Sequence, residues 1–340
     1  MSLVPWLAQP WNALAAALTE QRLHHALLIT GQAGLGKRAL ADALVAAALC
    51  GSRGTDGHAC GQCRSCRLLA AGSHPDRVLV TFEMKDDGKP RSELTVDQIR
   101  RLSQRFALSS QFGGLQLALI DPADALNPSA ANALLKTLEE PGASCVIVLV
   151  TDRPSRLPAT IRSRCQRIKL HVPPREVAQA WLETQGMTAG SAARALDASL
   201  GNPGRALDSS RDQSLALRDG CAQDLAELSA GRLTPATVAE RWMADRVRER
   251  LWFAAVLGRD EARQLAAGHR GTLGLTGRGQ IPKLAAWFDQ ANRARGLLDT
   301  PLRAELVVLE LLRSWPRAQA REETGLRRSA GGTPTKSAAR

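Results

Sequence analysis

The most informative segment of the sequence is HALLITGQAGLGKR, residues 25–38. HALLIT (25–30) is a short, largely apolar run of the kind that forms a buried strand. GQAGLGK (31–37) fits the GxxxxGK part of a phosphate-binding loop, and the alanine- and leucine-rich segment 38–49 predicts a helix. Strand, glycine loop and helix in this order predict a P-loop domain, in which loop N–H groups face phosphate oxygens. The candidate nucleotide-binding residues are Gly31, Gly34, Gly36 and Lys37.

Beyond this loop, strand and helix signals alternate as far as residue 170. The expected strands are Arg77–Phe82, Leu115–Ile120, Cys145–Thr151 and Gln166–Leu170, and the clearest helices are Val96–Leu108 and Ser129–Glu140. This alternation is typical of an α/β domain with a mostly parallel sheet that helices cover on both faces. We therefore predict an α/β P-loop domain over residues 1–170.

The rest of the chain carries helical signals only. We predict a small helical domain over 171–208 and a second, all-α domain over 209–316, with amphipathic blocks such as 236–257 and 302–312. Residues 317–340 are mostly Gly, Ser, Thr, Arg and Ala without apolar periodicity, which predicts a disordered basic tail.

The nucleotide site has lost residues that hydrolysis requires. Arg38 follows Lys37 where a Ser or Thr hydroxyl should coordinate Mg²⁺, and arginine cannot ligate a cation. The second apolar strand ends in Asp121 and Pro122, where two acids would hold the metal and activate water. Asp121 then either keeps a remnant of the metal role or caps the next turn. In both cases we predict that this site does not turn over nucleotide.

Four cysteines lie close together in sequence, at Cys50, Cys60, Cys63 and Cys66. Four thiolates at this spacing predict a closed, structural zinc site within a module over residues 50–66. An iron–sulfur cluster and free reduced thiols are the alternatives, and His58 and His74 are possible substitute ligands. Cys145 and Cys221 are expected in the core. A cysteine framework of disulfides is not expected in a cytoplasmic chain.

A basic segment, TDRPSRLPATIRSRCQRIKL (151–170), follows the third apolar strand. A solvated surface loop is the simplest explanation of it. However, hydrolysis of a nucleoside triphosphate needs positive charge at the γ-phosphate in the transition state, and an arginine of another molecule often supplies it. Arg164 is the candidate for such a role in trans. The segment's five arginines are Arg153, Arg156, Arg162, Arg164 and Arg167.

The net charge and the apolar runs indicate which class of partner and which cellular compartment to expect. The formal net charge is +12, of which the segment after Trp315 contributes +4, so the folded part keeps +8. Such a balance favours an anionic partner, with nucleic acid first, although a solvated basic surface fits too. No apolar run is long enough for a membrane span and the N-terminus lacks a signal-peptide pattern, so we expect a cytoplasmic protein with no membrane partner.

Several of these motifs together resemble a known family. SAANALLKTLEEPG (129–142), the SRC triplet at 163–165, the four-cysteine module and LRAELVVLELL (302–312) are similar to AAA+ clamp-loader subunits, most closely to the delta-prime subunits of bacterial DNA polymerase III. The resemblance is strongest over 21–170 and implies that the P-loop domain is of the AAA+/RecA-like kind, that 171–208 is a lid domain and that 209–316 is a collar that oligomerises. In GNPGRAL (201–207), Gly204 stands where motor subunits carry a sensor arginine, and Arg205 comes one residue late.

The resemblance also implies a function. It suggests a non-hydrolytic subunit that supports ATP-dependent loading of a sliding clamp onto primed DNA. Its partners would be the gamma/tau ATPase and delta subunits in a hetero-oligomer, with ATP bound by the neighbour that Arg164 reaches and the chain's own site empty or weak. The alternatives are an active clamp-loader ATPase motor and a stand-alone, zinc-containing DNA-binding protein.

Overall fold

A computed structural model describes residues 3–85, 88–142, 144–212, 214–298 and 300–317 of the chain. The predicted tail from residue 318 onward lies outside the described residues. The chain separates into two compact units, one up to Leu215 and one from Ala216. Among the described residues, none of the helices combines the length and the apolar character that crossing a bilayer requires.

The first unit is built on a parallel sheet of five strands. In chain order these are β1 (Ala26–Thr30), β2 (Arg77–Val80), β3 (Gln116–Ile120), β4 (Cys145–Thr151) and β5 (Gln166–Lys169). They lie in the order β2-β3-β4-β1-β5, with Thr30 of β1 opposite both Thr151 and Lys169. Because all five strands are parallel, the loops after β1, β3 and β4 all leave the sheet at the carboxyl ends of the strands. The predicted mostly parallel α/β domain is confirmed.

Helices cover both faces of this sheet and bury one apolar cluster on each. Leu27 and Ile29 of β1 face the cluster that contains α1 and α2, whereas Leu28 faces the cluster that contains α4 and α5. Because both faces of the sheet are covered, β1, β3 and β4 are buried along their whole length and consist almost entirely of apolar residues. The helices are α1 (Ala8–Thr19), α2 (Lys37–Leu49), α3 (Arg64–Ala70), α4 (Val96–Phe106), α5 (Pro128–Glu139) and α6 (Ala159–Arg164).

Three further helices complete the first unit. They are α7 (Arg175–Thr184), α8 (Ala189–Ala198) and α9 (Pro203–Arg211), and they share a small core of alanines and leucines that includes Ala178, Leu182 and Leu196. The predicted boundary between 208 and 209 falls within α9, and the division into compact units falls a few residues after this helix ends. The separate lid domain at 171–208 stays a prediction.

Among the described residues of the second unit, all regular secondary structure is helical. This unit contains α10 from Ser214 to Ser229, which begins at the unit boundary, and then α11 (Pro235–Ala244), α12 (Val247–Ala266), α13 (Ile281–Leu297) and α14 (Ala304–Arg313). The expected continuous block over 236–257 is wrong, because Arg246 adopts a left-handed conformation, with φ of 49°, that separates α11 from α12. Trp242 and Trp287 are fully buried in this unit.

Candidate functional site

The glycine loop has the backbone of a phosphate-binding loop. It leaves β1 at Thr30 and enters α2 at Lys37, as predicted. Gly34 and Gly36 have φ of 88° and 83°, in the left-handed region that only glycine occupies at no steric cost. These two glycines therefore permit the turn that directs backbone N–H groups into the loop.

Lys37, however, is engaged by the chain itself. Its side chain is only 6% exposed; Nζ donates to the carbonyl oxygen of Gln32 at 2.7 Å and lies 2.5 Å from Oδ1 of Asp152. Asp152 follows β4, whose end lies beside the end of β1. The ammonium that would meet terminal phosphates is therefore paired with a carboxylate, which would repel them.

Arg38 occupies the neighbouring, metal-binding half of the site. Its Nη1 lies 2.8 Å from Oδ2 of Asp121, and its Nε lies 2.9 Å from Oδ2 of Asp42, one turn along α2. Burial lowers the pKa of the Arg38 guanidinium, but the two carboxylates outweigh burial and raise the pKa above its ordinary value. A fixed guanidinium thus satisfies Asp121, the acid that would otherwise hold Mg²⁺.

The start of α9 lies directly on the glycine loop. Asn202, which is fully buried, caps α9 through its oxygen and donates through Nδ2 to the carbonyl oxygen of Ala33 at 2.8 Å. A Cβ at Gly204 would lie 2.0 Å from the carbonyl oxygen of Gly34, so this approach requires glycine. Gly204, which the sequence showed only as a missing sensor arginine, is the residue that lets α9 close on the loop.

Arg205 and the N-terminal segment add to this closure. Burial lowers the pKa of Arg205, and the negative charge of Asp152 opposes that shift. Asp152 also pairs with Lys37, so the carboxylate of Asp152 interacts with both cations. Trp6 donates its indole N–H to the carbonyl oxygen of Leu35 at 3.0 Å and meets Trp181 of α7 edge to face. The phosphate loop is therefore covered by protein from two directions.

The four predicted metal ligands come together. Among the described residues, the sulfurs of Cys50, Cys60, Cys63 and Cys66 all lie within 4.8 Å of one another. Cys50 Sγ is 3.6 Å from Cys60 Sγ and 3.9 Å from Cys63 Sγ. Ligands about 2.3 Å from a tetrahedral zinc stand about 3.8 Å apart, so the cluster has the size of a Cys₄ metal site.

Backbone N–H groups already stabilise thiolates in this cluster. The N–H groups of Cys66 and Gly51 lower the pKa of the Cys63 thiol to about 6, whereas burial raises the pKa of Cys66 to about 12. The two candidate substitute histidines are placed elsewhere. His58 stacks on Trp11 at 4.1 Å, and His74 is buried against Ser65, so the side chains that come together as candidate ligands are all cysteines.

Arg164 ends α6 at the surface, with a side chain that is 36% exposed. Its Nη2 lies 2.5 Å from Oε1 of Glu139, and its Nη1 donates to the carbonyl oxygen of Thr160 at 3.0 Å. The guanidinium is thus held at the end of α5 rather than directed at the chain's own glycine loop. Another arginine of the segment, Arg153, pairs with the nearly buried Asp124 at 3.0 Å and has a structural role.

Three residues of this site were not recognised in the sequence. Asp152 pairs with Lys37, and Glu139 pairs with Arg164. Asn202 donates a hydrogen bond to the glycine loop at Ala33. Each of the three lies far along the chain from the residue that it contacts. Only Asn202 carried a local signal, because Asn before Pro203 is a typical start of a helix. The free cysteines Cys145 and Cys221 are buried, as expected.

The parallel sheet, the glycine loop between β1 and α2, and the helices that rest on that loop define the class: an α/β P-loop protein. Residues 6–174 match the family model described as DNA polymerase III, delta subunit. The chain is 41% identical over 180 residues to the DNA polymerase III subunit delta' of Pseudomonas aeruginosa, which covers 53% of this chain and 52% of that protein. It is 38% identical over 228 residues to that of Escherichia coli, covering 66% of each chain.

The chain belongs to the delta-prime family of DNA polymerase III subunits. It is also 35% identical over 159 residues to the tau/gamma subunit of Haemophilus influenzae, which covers 47% of this chain and 22% of that protein. The matched segments span about half of the P. aeruginosa relative and 66% of the E. coli one.

Proposed function

We propose that this chain is a non-hydrolytic subunit of the DNA polymerase III clamp-loader complex, which supports ATP-dependent loading of the sliding clamp onto primed DNA. The observation that carries the proposal is the state of the nucleotide site. Carboxylates of the chain itself pair with both Lys37 and Arg38, and α9 rests on the loop. A triphosphate would have to displace the carboxylate paired with Lys37, the carboxylates paired with Arg38, and α9.

The chemical consequence follows from what hydrolysis needs. Mg²⁺ requires oxygen ligands and an uncompensated acid, and the attacking water requires a proton acceptor. Asp121 is already neutralised by a guanidinium, and Pro122 offers no acceptor on its side chain. The gain from binding Mg-ATP would be reduced by the cost of breaking ion pairs, one of which involves the nearly buried Lys37. The site serves as a scaffold.

In this proposal the chain supplies Arg164 to the ATP site of a neighbouring motor subunit. Arg164 stands at the end of a short helix, and its acidic partner Glu139 is about half exposed. A γ-phosphate of higher charge can replace this carboxylate without any rearrangement of buried residues. An arginine offered in trans can contribute about 10³–10⁵ in rate at a site that depends on it. The loss of ATP hydrolysis rate on removing this arginine is smaller where several ATP sites of the complex contribute to the total rate.

The cysteine cluster is proposed to hold one structural zinc ion. All four ligands are sulfur, which leaves no open position for substrate. The metal would fix residues 50–66 between α2 and α3, two helices that both belong to the P-loop domain. The stack of His58 on Trp11 and the close contact of Gly57 with Ala15 attach the same loop to α1.

The proposed partners are the gamma/tau ATPase and delta subunits, and through the complex the sliding clamp and primed DNA. The similarity to a tau/gamma subunit supports a shared fold within one assembly. The second, helical unit would form the collar that joins subunits, and the net charge of +12 suits work close to DNA. A subunit of this machinery would act in the cytoplasm, where the chromosome is replicated.

Reconstitution tests the proposal. The purified chain, mixed with gamma/tau and delta subunits, should enter a complex in size-exclusion chromatography and should be required for clamp loading onto primed DNA. The chain alone should not hydrolyse Mg-ATP. Sustained hydrolysis by the chain alone, abolished by Lys37→Ala, would identify a motor subunit and contradict the proposal. Tight DNA binding that needs no other subunit and disappears on removal of 317–340 would favour a stand-alone DNA-binding protein.

A further inference from the structure

The open edge of the sheet is formed by β2, and two grooves meet there. Among the described residues, β2 pairs with β3 on one side and with no strand on the other. Asp76 and Val80 accept backbone hydrogen bonds from β3, so alternate residues of β2 point their N–H and C=O groups toward β3. Leu79, between them in this alternation, presents its backbone groups to the open edge, and its side chain is 40% exposed.

The groove on one face of the sheet is mainly apolar. It has a volume of about 480 Å³ and lies between α2 and the cysteine module, with Ala43, Ala46, Ala59 and Leu69 among its lining residues. The cysteine module therefore forms one wall of this groove. Arg77 of β2 stands at its rim.

The groove on the opposite face is basic. It has a volume of about 320 Å³, lies between β2 and α4, and is lined by the side chains of Arg101 and Arg105, with Glu83 as the one acid among the described lining residues. Arg101 forms an ion pair with Glu83. Arg105 donates to the neutral carbonyl oxygen of Pro75 at 2.8 Å, so its charge is not balanced there. Arg77 also borders this groove, but its Nη2 lies 3.3 Å from Oδ1 of Asp42, so Arg77 adds no net charge there and Arg105 carries the unbalanced one.

We propose that the open edge of β2 binds an extended, acidic segment of a partner protein as a sixth strand. Successive side chains of a strand point to opposite faces, so such a segment would place alternate residues in the two grooves. The apolar groove favours apolar residues, and the arginine groove favours Asp or Glu. The matching ligand is a segment of about six residues in which apolar and acidic residues alternate.

Two other occupants fit the edge less well. A second copy of the chain paired through β2 would bring the two sets of arginines against each other, and like charges destabilise such a pairing. DNA would be attracted to the arginines, but it has no backbone N–H or C=O ladder to pair with Leu79 and no apolar side chains for the groove at the cysteine module. The combined edge and groove chemistry favours a peptide.

The test uses the full chain and a fluorescein-labelled hexapeptide, Leu-Glu-Val-Glu-Leu-Glu, acetylated and amidated. A peptide of the same composition in the order Leu-Val-Leu-Glu-Glu-Glu is the control for charge alone. Fluorescence anisotropy should show saturable binding of the alternating peptide and binding at least about tenfold weaker for the control. Hydrogen exchange should show that the alternating peptide protects the N–H of Leu79.

Two variants separate strand addition from simple attraction of charge. Leu79→Pro removes the outward N–H, and proline is tolerated at an edge position that does not donate to the ladder. Arg101→Glu reverses the charge in the groove, and Arg100→Glu is its matched control on the exposed side of α4. We expect Leu79→Pro and Arg101→Glu each to weaken binding about tenfold or more, with Arg100→Glu close to wild type.

The proposal is overturned if the alternating peptide does not bind saturably or does not exceed its control. It is also overturned if Leu79→Pro, shown to be folded by circular dichroism, binds as the wild type does. A duplex DNA probe that displaces the peptide, and whose own binding is lost in Arg101→Glu but kept in Leu79→Pro, would assign the groove to nucleic acid and reject the peptide.

Discussion

Replacing Gly204 by alanine should force α9 off the phosphate loop. The added Cβ would lie 2.0 Å from the carbonyl oxygen of Gly34 and 2.7 Å from its carbonyl carbon and Cα. All three are backbone atoms of a tight loop, so no side chain can rotate away. An ordinary contact needs about 3.5 Å, and the two segments must therefore separate by about 1.5 Å.

Such a separation also breaks the hydrogen bond from Asn202 to Ala33, whose heavy atoms are 2.8 Å apart. Leaving a buried amide without a partner costs about 1–3 kcal/mol, and forcing extra volume into a packed contact costs about 1–3 kcal/mol more. Alanine is favoured over glycine in a helix by about 1 kcal/mol, which offsets part of this. We expect the free energy of unfolding of the first unit to fall by about 1–5 kcal/mol.

The assay is urea unfolding followed by circular dichroism, with hydrogen exchange of residues 31–37 as a local measure. Gly190→Ala is the matched control, because a Cβ at this helical glycine meets nothing within 4 Å. It should be neutral or stabilising by up to about 1 kcal/mol. If Gly204→Ala is as stable as Gly190→Ala and the loop exchanges no faster, α9 does not rest on the loop and does not close the nucleotide site.

Three further predictions concern the metal, the buried histidine and the nucleotide site. Elemental analysis should find about one zinc per chain, and Cys63→Ser should lower both the zinc content and the thermal stability of the first unit; a metal-free, equally stable wild type would reject the site. Burial lowers the pKa of His74, so unfolding takes up a proton below the ordinary value of about 6.5. The free energy of unfolding should therefore fall as the pH drops through that value, and His74→Gln should flatten this slope in urea titrations at several pH values. Arg38→Ser restores a hydroxyl beside Lys37 but not the acid missing at Pro122, so it should leave Mg-ATP hydrolysis by the chain alone at background; steady turnover in a phosphate-release assay would show that Arg38 alone disables the site.

The sequence predicted those parts of the fold whose causes are local. Apolar runs of strand length became β1, β3 and β4 because both faces of the sheet are covered. The cysteine site could be predicted from spacing, since Cys60, Cys63 and Cys66 follow one another within a single turn-and-helix segment. The order of strands in the sheet could not, because it depends on which loops cross over and not on any one strand's residues.

For the same reason, the residues that contact the glycine loop could not be predicted from the sequence. Arg38 and Pro122 were recognisable as losses from the motif, but Asp152 and Asn202 meet the loop only after the sheet has formed. The meaning of Gly204 changed most. It looked like the absence of an arginine, and the structure shows a backbone contact that no other residue permits. The break at Arg246 was also invisible, because arginine gives no signal for a left-handed turn.

The most direct test of the central claim measures ATP hydrolysis by a complex of this chain with gamma/tau and delta subunits, stimulated by sliding clamp and primed DNA. The complex with Arg164→Ala should assemble normally but hydrolyse ATP and load clamps markedly more slowly than the wild type. The complex with Arg156→Ala, which removes an exposed arginine from the same segment, should match the wild type. Unchanged hydrolysis and clamp loading with Arg164→Ala would contradict the claim that this chain completes a neighbour's active site.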